Sequence, residues 1–351
     1  MTSSAWCVRL ALPATVLLAA TALAACGGDS GGSELGTSAS DIVAKAKEEG
    51  QVVWYSGSSE APAAAIAEAF EEKYGIPVSV TRLTSADIGT RFQSEASAGN
   101  VQVDVLSTVD PTLFVNLHEN GLTTALTPDL IPSVANYDAE FILDDNAAVV
   151  IGIGPTAVAW NTEILPNFNP SSWEDLIDPA LANEIVLVDP RSSNAWAQLW
   201  SVVLNEPSLG EDFISRFAAQ GVRQVVDSSV PGAQLLAAGE AGFLMATTVN
   251  TQIPLVEQGA PLKDMILQNP APNYKQFIAL AKEAPHSNAG ALFIDFLLSE
   301  EGQQIYNSVH VQASPLGNLE GTLPLPEGLA DAPAARVQAD LPKVLELLGI
   351  Q

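Results

Sequence analysis

Short runs of hydroxyl and amide side chains recur along the chain, each lying where an extended apolar segment gives way to a helix-forming one. Ser56-Gly57-Ser58-Ser59 follows Val52 to Tyr55, and Ser107-Thr108-Val109-Asp110 follows a later extended segment. Further on stand Asp189-Pro190-Arg191-Ser192-Ser193-Asn194, Ser228-Ser229 and Thr247-Thr248-Val249-Asn250-Thr251. A helix N-terminus presents unpaired N–H groups and the positive end of the helix dipole, so with hydroxyls beside it, it suits an anion. The same residue types also serve as plain helix caps, and it is their recurrence in both halves of the chain that indicates a shared cleft. Ligand-binding candidates are therefore Ser56, Ser58, Ser59, Thr108, Asp110, Arg191, Ser193, Asn194, Ser228, Thr248 and Asn250. Arg191 either adds charge to such a site or is spent in a strand-end salt bridge. Tyr55, Trp160, Trp196 and Tyr274 rank below the hydroxyl loops as aromatic walls, because such residues more often fill a core.

Catalytic patterns are missing. No Gly-x-Ser-x-Gly turn presents a serine to a base, and the three histidines, His118, His286 and His310, stand apart. His118, late in a surface helix, and His286, in a turn, read as solvated. No two His or Cys residues have zinc-ligand spacing. Gly152-Ile153-Gly154 is followed by Pro155 and lacks the third glycine of a dinucleotide fingerprint, so these glycines read as close strand packing or a hinge. No catalytic residue, metal or cofactor is expected.

The elements that would position the hydroxyl runs alternate. Residues 41–46 read as a capped helix and 51–56 as a buried strand. Glu60 to Tyr74 has an amphipathic helical period, with Ile66, Phe70 and Tyr74 on one face and Gly75 to end it; 76–83 is the next strand. Helices over 86–98 and 111–119 enclose a strand at 103–107. A second series follows, with strands near 147–160, 184–188, 222–226 and 242–247 and helices at 193–204, 209–220 and 230–238. A strand over 274–281 and helices over 288–298, 301–309 and up to Leu348 complete the chain. This rhythm implies α/β architecture in two lobes, each a mostly parallel sheet flanked by helices. In open sheets of that kind ligands bind beyond the carboxyl ends of the strands.

At the N-terminus Arg9 precedes an apolar stretch from Leu10 that closes on Leu23-Ala24-Ala25-Cys26. Small residues before a cysteine fit a lipoprotein signal: residues 1–25 are removed and Cys26 carries lipid. The stretch is shorter than the roughly 20 residues a spanning helix needs. Residues 26–40, rich in Gly and Ser, read as a flexible tether. The chain is 351 residues long with a net charge of -27 and no Lys/Arg cluster, which argues against nucleic acid and against an anionic lipid surface; contact with the membrane runs through the lipid anchor alone. Cys7 falls in the removed segment and Cys26 is consumed by lipid, so no internal disulfide forms, and the 47% apolar content must supply the core.

On the residues quoted above, the chain resembles the solute-binding lipoproteins of ABC importers, in the group of ferric-ion-binding proteins. The resemblance covers nearly all of 45–317. It is most specific at Glu49-Gly50-Gln51-Val52-Val53-Trp54-Tyr55-Ser56-Gly57, at 65–71, at Asp189-Pro190-Arg191-Ser192-Ser193 and at 284–303. It implies a periplasmic-binding-protein type II fold, with lobe 1 at 41–142 plus 273–317 and lobe 2 at 143–272 plus 318–351. It also implies an exported monomer, lipid-anchored on the outer face of the cell membrane, that captures a small molecule between its lobes and hands it to a permease served by an ATPase. The iron ligands of the group do not carry over. Ser59 stands for the usual histidine, Val109 for the glutamate, and Val249 and Asn250 for the tyrosine pair. The anion-binding part does, at Ser193, Asn194, Ala195 and Ser228. The expected ligand is a small organic or phosphorus-containing anion, a carboxylate or phosphonate. Ferric iron with other ligands, a secreted enzyme on the same scaffold and a protein-binding lipoprotein are the alternatives.

Overall fold

A computed structural model of the chain describes residues 33–350; the signal segment, Cys26 and tether residues 27–32 lie outside the described residues. The chain begins with α1 (Ala39–Glu49), β1 (Val52–Ser56), α2 (Glu60–Tyr74), β2 (Val78–Arg82), α3 (Ser85–Ser97), β3 (Val105–Thr108), α4 (Pro111–Glu119), β4 (Thr123–Thr124) and β5 (Val149–Pro155). Then come β6 (Ala157–Asn161), β7 (Ile185–Val188), α5 (Asn194–Asn205), α6 (Gly210–Ala219), β8 (Val222–Val226), α7 (Ser229–Ala237), β9 (Phe243–Thr247), α8 (Val249–Glu257) and β10 (Leu262–Ile266). The last part holds β11 (Ala271–Ala281), α9 (Ser287–Leu298), α10 (Glu300–His310), β12 (Leu329–Ala330) and α11 (Ala334–Leu348).

Two sheets form. The first has the order β12-β11-β3-β1-β2, with β4 and β5 also paired to β11; the second runs β10-β6-β9-β7-β8. Each is parallel among its βα strands and antiparallel where the other strands join: β1 pairs with β2 and β3, and β7 with β8 and β9, all parallel, while β11 meets β3 and β5, and β6 meets β9 and β10, antiparallel. Separate cores lie under them. In the first, Phe70 meets Phe293 edge-on at 5.2 Å between ring centroids, and Trp54 packs on the same Phe293 at 5.3 Å. In the second, Phe168 stands at right angles between Trp160 and Phe243, and Val344 and Leu348 of α11 complete the packing.

The register fixes where the two sheets are joined. Phe277 and Ile278 of β11 face Thr108 and Ser107 of β3 on one side and Val150 and Val149 of β5 on the other. Strand β5 is therefore parallel to β3 and continues past the level at which β3 stops. It passes through Thr156 into β6, whose first residue, Ala157, pairs with Thr247 at the end of β9; Ile266, the end of β10, pairs with the same Ala157. Both crossings, 155–157 and 266–271, thus run from the carboxyl edge of one sheet to the carboxyl edge of the other.

Four expectations need correcting. The apolar run 147–160 is two strands serving two sheets, so the first sheet reaches beyond the expected limit at 142. The tether is not free up to residue 40. Ser33 N donates to Ala284 O at 3.2 Å, Ser33 Oγ to Glu49 Oε1 at 2.6 Å, and Gly36 N to Asn288 Oδ1 at 2.7 Å, so the chain is held against α1 and α9 from Ser33 on. His286 is not simply solvated: its Nδ1 lies 3.0 Å from Oδ2 of the fully buried Asp104, which also accepts from Val53 N and His286 N. His118 is half-buried, its Nδ1 3.1 Å from Thr123 Oγ1.

Candidate functional site

At the carboxyl edge of the first sheet the loops after β1, β2 and β3 are tied together. Gly57 N donates to Ser107 O at 2.8 Å and Leu83 N to Ser56 O at 3.0 Å. Ser85 Oγ and Thr108 Oγ1 share a short hydrogen bond. Within this edge the expected serines divide. Ser56 is buried, its Oγ accepting from Ser58 N at 3.1 Å and from Ser107 Oγ at 3.3 Å. Ser58 is buried as well, with its Oγ 2.5 Å from Tyr306 OH, which donates to Gln276 Oε1 at 2.5 Å. Both hydroxyls are thus used inside the protein. Ser59 is exposed at the N-cap of α2 and makes no capping bond, while Asp110 caps α4 by accepting from Thr112 N at 3.0 Å and Leu113 N at 3.2 Å.

The second sheet repeats the division. Ser193 caps α5, accepting from Trp196 N at 3.3 Å. Ser228 and Thr248 are the N-caps of α7 and α8 and bond no backbone N–H of their helices. Asn194 and Ser228 are exposed, and their side chains have no hydrogen-bond partner among the described residues. Thr248 Oγ1 donates to Asn250 Oδ1 at 2.5 Å, and Ser229 Oγ lies 3.4 Å from Thr251 Oγ1, so the first turns of α7 and α8 adjoin. Three helix N-termini at the two carboxyl edges, those of α2, α7 and α8, therefore keep N–H groups that no cap side chain satisfies.

Of the two roles the sequence left open for Arg191, the structure shows the second. Arg191 Nε lies 3.0 and 3.1 Å from the two oxygens of Asp189 and Nη2 lies 2.7 Å from Oδ2, so the strand-end salt bridge holds. The hydrogen bond from Arg191, more than any other influence, keeps the Asp189 carboxyl below its usual range. The aromatic walls are also reassigned. Tyr55 is buried and its OH donates to Glu95 Oε1 at 2.8 Å; burial, followed by that carboxylate, pushes its phenol up to about 12. Trp160 belongs to the second core, and Trp196 packs between two apolar clusters of that lobe. Tyr274 lies on Gly154, where an added Cβ would come within 2.1 Å of its ring, and its OH accepts from Gln312 Nε2 at 2.9 Å. Gly152 is packed as closely, against Gln312 and Asn307.

Among the described residues no group of three His, Cys, Asp or Glu side chains is placed to hold a metal ion, and no helix is long and apolar enough to cross a membrane. One concavity of about 410 Å³ is lined by Trp173, Leu209, Met265 and neighbouring residues and includes none of the hydroxyl loops.

A family model for bacterial extracellular solute-binding proteins matches residues 65–310. An uncharacterised protein of Haemophilus influenzae is 27% identical over 283 residues, covering 75% of this chain and 77% of its own. Iron-bound HitA from Pseudomonas aeruginosa superposes with a TM-score of 0.62 at 22% identity, over 85% of this chain and 98% of its own. The periplasmic binding protein AfuA from Actinobacillus pleuropneumoniae, with fructose-6-phosphate bound, also gives 0.62 at 22% identity, over 86% and 99%. At these identities the two structures establish a shared two-lobed fold.

Proposed function

The chain belongs to the family of bacterial extracellular solute-binding proteins, and from that premise we propose that it is the solute-binding component of an ABC importer that takes up a small organic or phosphorus-containing anion. The observation that carries this reading is the meeting of two carboxyl edges at the crossing strands, each bearing helix N-termini with uncommitted N–H and hydroxyl groups. Such groups stabilise an anion without a counter-ion. A carboxylate or phosphonate contacting both edges stabilises the arrangement in which the lobes approach, by the difference in its affinity for the two arrangements. No bond is made or broken. The iron positions of the resembling group, occupied here by Ser59, Val109, Val249 and Asn250, hold no phenolate or carboxylate for a hard cation.

The remaining parts of the proposal follow from the same assignment. Export and lipid on Cys26 keep the monomeric binder beside a permease, which receives the ligand in a cycle driven by a separate ATPase. The first lobe is built on the first sheet, including β5, and the second on the other sheet with α11.

Calorimetric titration of the full-length chain with carboxylates and phosphonates tests the assignment. Asn194→Ala combined with Ser228→Ala is expected to weaken an anionic hit by about ten-fold or more, the usual consequence of losing hydrogen bonds to a charged group, without lowering the melting point of the free protein. Undiminished affinity would mean that the second lobe's edge is not the binding surface.

A further inference from the structure

Arg82, the last residue of β2, received no role from the sequence. It is exposed, its Nε donates to Ser58 O at 3.1 Å, and its Nη groups have no hydrogen-bond partner among the described residues. The setting makes this unusual: 41 acidic residues face 14 basic ones, and most of the described cations sit against a carboxylate. Lys47, Arg82, Lys263, Lys282 and Arg336 have no carboxylate within 4.0 Å among the described residues. Of these five, Arg82 alone ends one of the parallel strands. The Ser58 carbonyl anchors the guanidinium by one edge and leaves the Nη pair free, which is the fork that matches two oxygens of a carboxylate or phosphorus oxyanion. Beside it lie the uncapped N-terminus of α2 with the Ser59 hydroxyl, and the Ser85–Thr108 hydroxyl pair.

The second lobe offers nothing equivalent. The charge of Arg191 is met by Asp189, and what its carboxyl edge presents to a ligand includes no free cation among the described residues: Asn194, Ser228, the helix dipoles of α7 and α8, and the exposed carboxylate of Asp227 beside Ser228, which repels an anionic group but accepts from a hydroxyl.

Building on the reading of the chain as a binder of small anions, we propose that Arg82 is the residue that binds the ligand's charged group, from the first lobe, and that the second lobe binds an uncharged, hydroxyl-bearing end. The substrate class is then a small carboxylate or phosphorus oxyanion with a polar neutral tail. Calorimetric titration of the full-length chain with gluconate, glycerol 3-phosphate and 2-hydroxyethylphosphonate, with glycerol and putrescine as neutral and cationic controls, tests this. For an anion that binds, Arg82→Gln is expected to weaken affinity by at least about 30-fold, Arg82→Lys by less, and Arg191→Gln by no more than about three-fold, with the melting point of each free variant unchanged. The wild-type affinity should also fall with added salt, and that dependence should shrink in Arg82→Gln. An anion bound equally well by Arg82→Gln overturns the assignment of Arg82 while leaving anion binding intact. A wild-type chain that binds none of the three anions, or binds only a control, overturns both.

Discussion

His310 and His286 respond to acid in opposite directions. His310 is almost fully buried with no partner for Nδ1, and burial pushes its imidazole down from 6.5 to about 4. The unfolded chain takes up that proton first, so this residue's contribution to stability is present above pH 6.5 and is lost as pH falls to about 4, by on the order of 3 kcal/mol in total. His286 is the reverse. Its hydrogen bond to Asp104 raises its imidazole above 6.5, giving stability that is complete below pH 6.5 and disappears as pH rises through the raised value. Urea unfolding should therefore show His310→Gln losing much less stability than wild type between pH 7 and about pH 4.5, and His286→Gln paying its larger penalty near pH 5.5 rather than pH 9. Equal slopes in wild type and His310→Gln would contradict the buried neutral imidazole. Neither environment is legible in the sequence, because Asp104 and His286 are far apart along the chain and meet only when β11 lies beside β3. Arg82 escaped notice for the same reason: a lone arginine closing a half-exposed strand says nothing of which carboxylates fold next to it.

Elements were more legible than their assembly. The helix over Glu60–Tyr74 could be read to the residue because Ile66 and Phe70 repeat with helical period and Gly75 adopts the left-handed conformation that ends it. The strand Leu262–Ile266 was missed because Lys263 and Asp264 interrupt its apolar residues, leaving no clean alternation; it forms because β6 supplies an antiparallel partner. Residues 147–160 read as one strand because apolar residues run through both segments, whose residues are all buried, and the transfer between sheets at Thr156 leaves no mark in hydropathy. The two glycines there do carry information. A Cβ on Gly154 would meet the Tyr274 ring within 2.1 Å, so Gly154→Ala should destabilise by about 1–3 kcal/mol through overpacking. Tyr274→Leu in the same chain should recover part of that loss, and denaturant midpoints of the two single variants and the double variant measure the coupling. Strict additivity would show that the contact does not hold the crossing strands together.

At the scale of the molecule, what the sequence could give was the alternation of strands and helices and hence the edge on which loops gather. Which hydroxyls remain open at that edge was not readable. Ser193 and Asp110 cap their helices, Ser56 and Ser58 are buried, and Ser59, Asn194 and Ser228 are left for a ligand; capping and binding use the same residue types, and only the folded geometry separates them. On the proposed reading, a small anion draws the two carboxyl edges together about the crossings at 155–157 and 266–271. Spin labels at Gln93→Cys on α3 and Gln234→Cys on α7, both exposed, report on the separation of the lobes by pulsed dipolar spectroscopy. A saturating anionic ligand should shorten and narrow the distance distribution in the wild-type background, and the shift should disappear with Arg82→Gln at the same ligand concentration. Identical distributions with and without bound ligand would mean that the anion does not bring the lobes together.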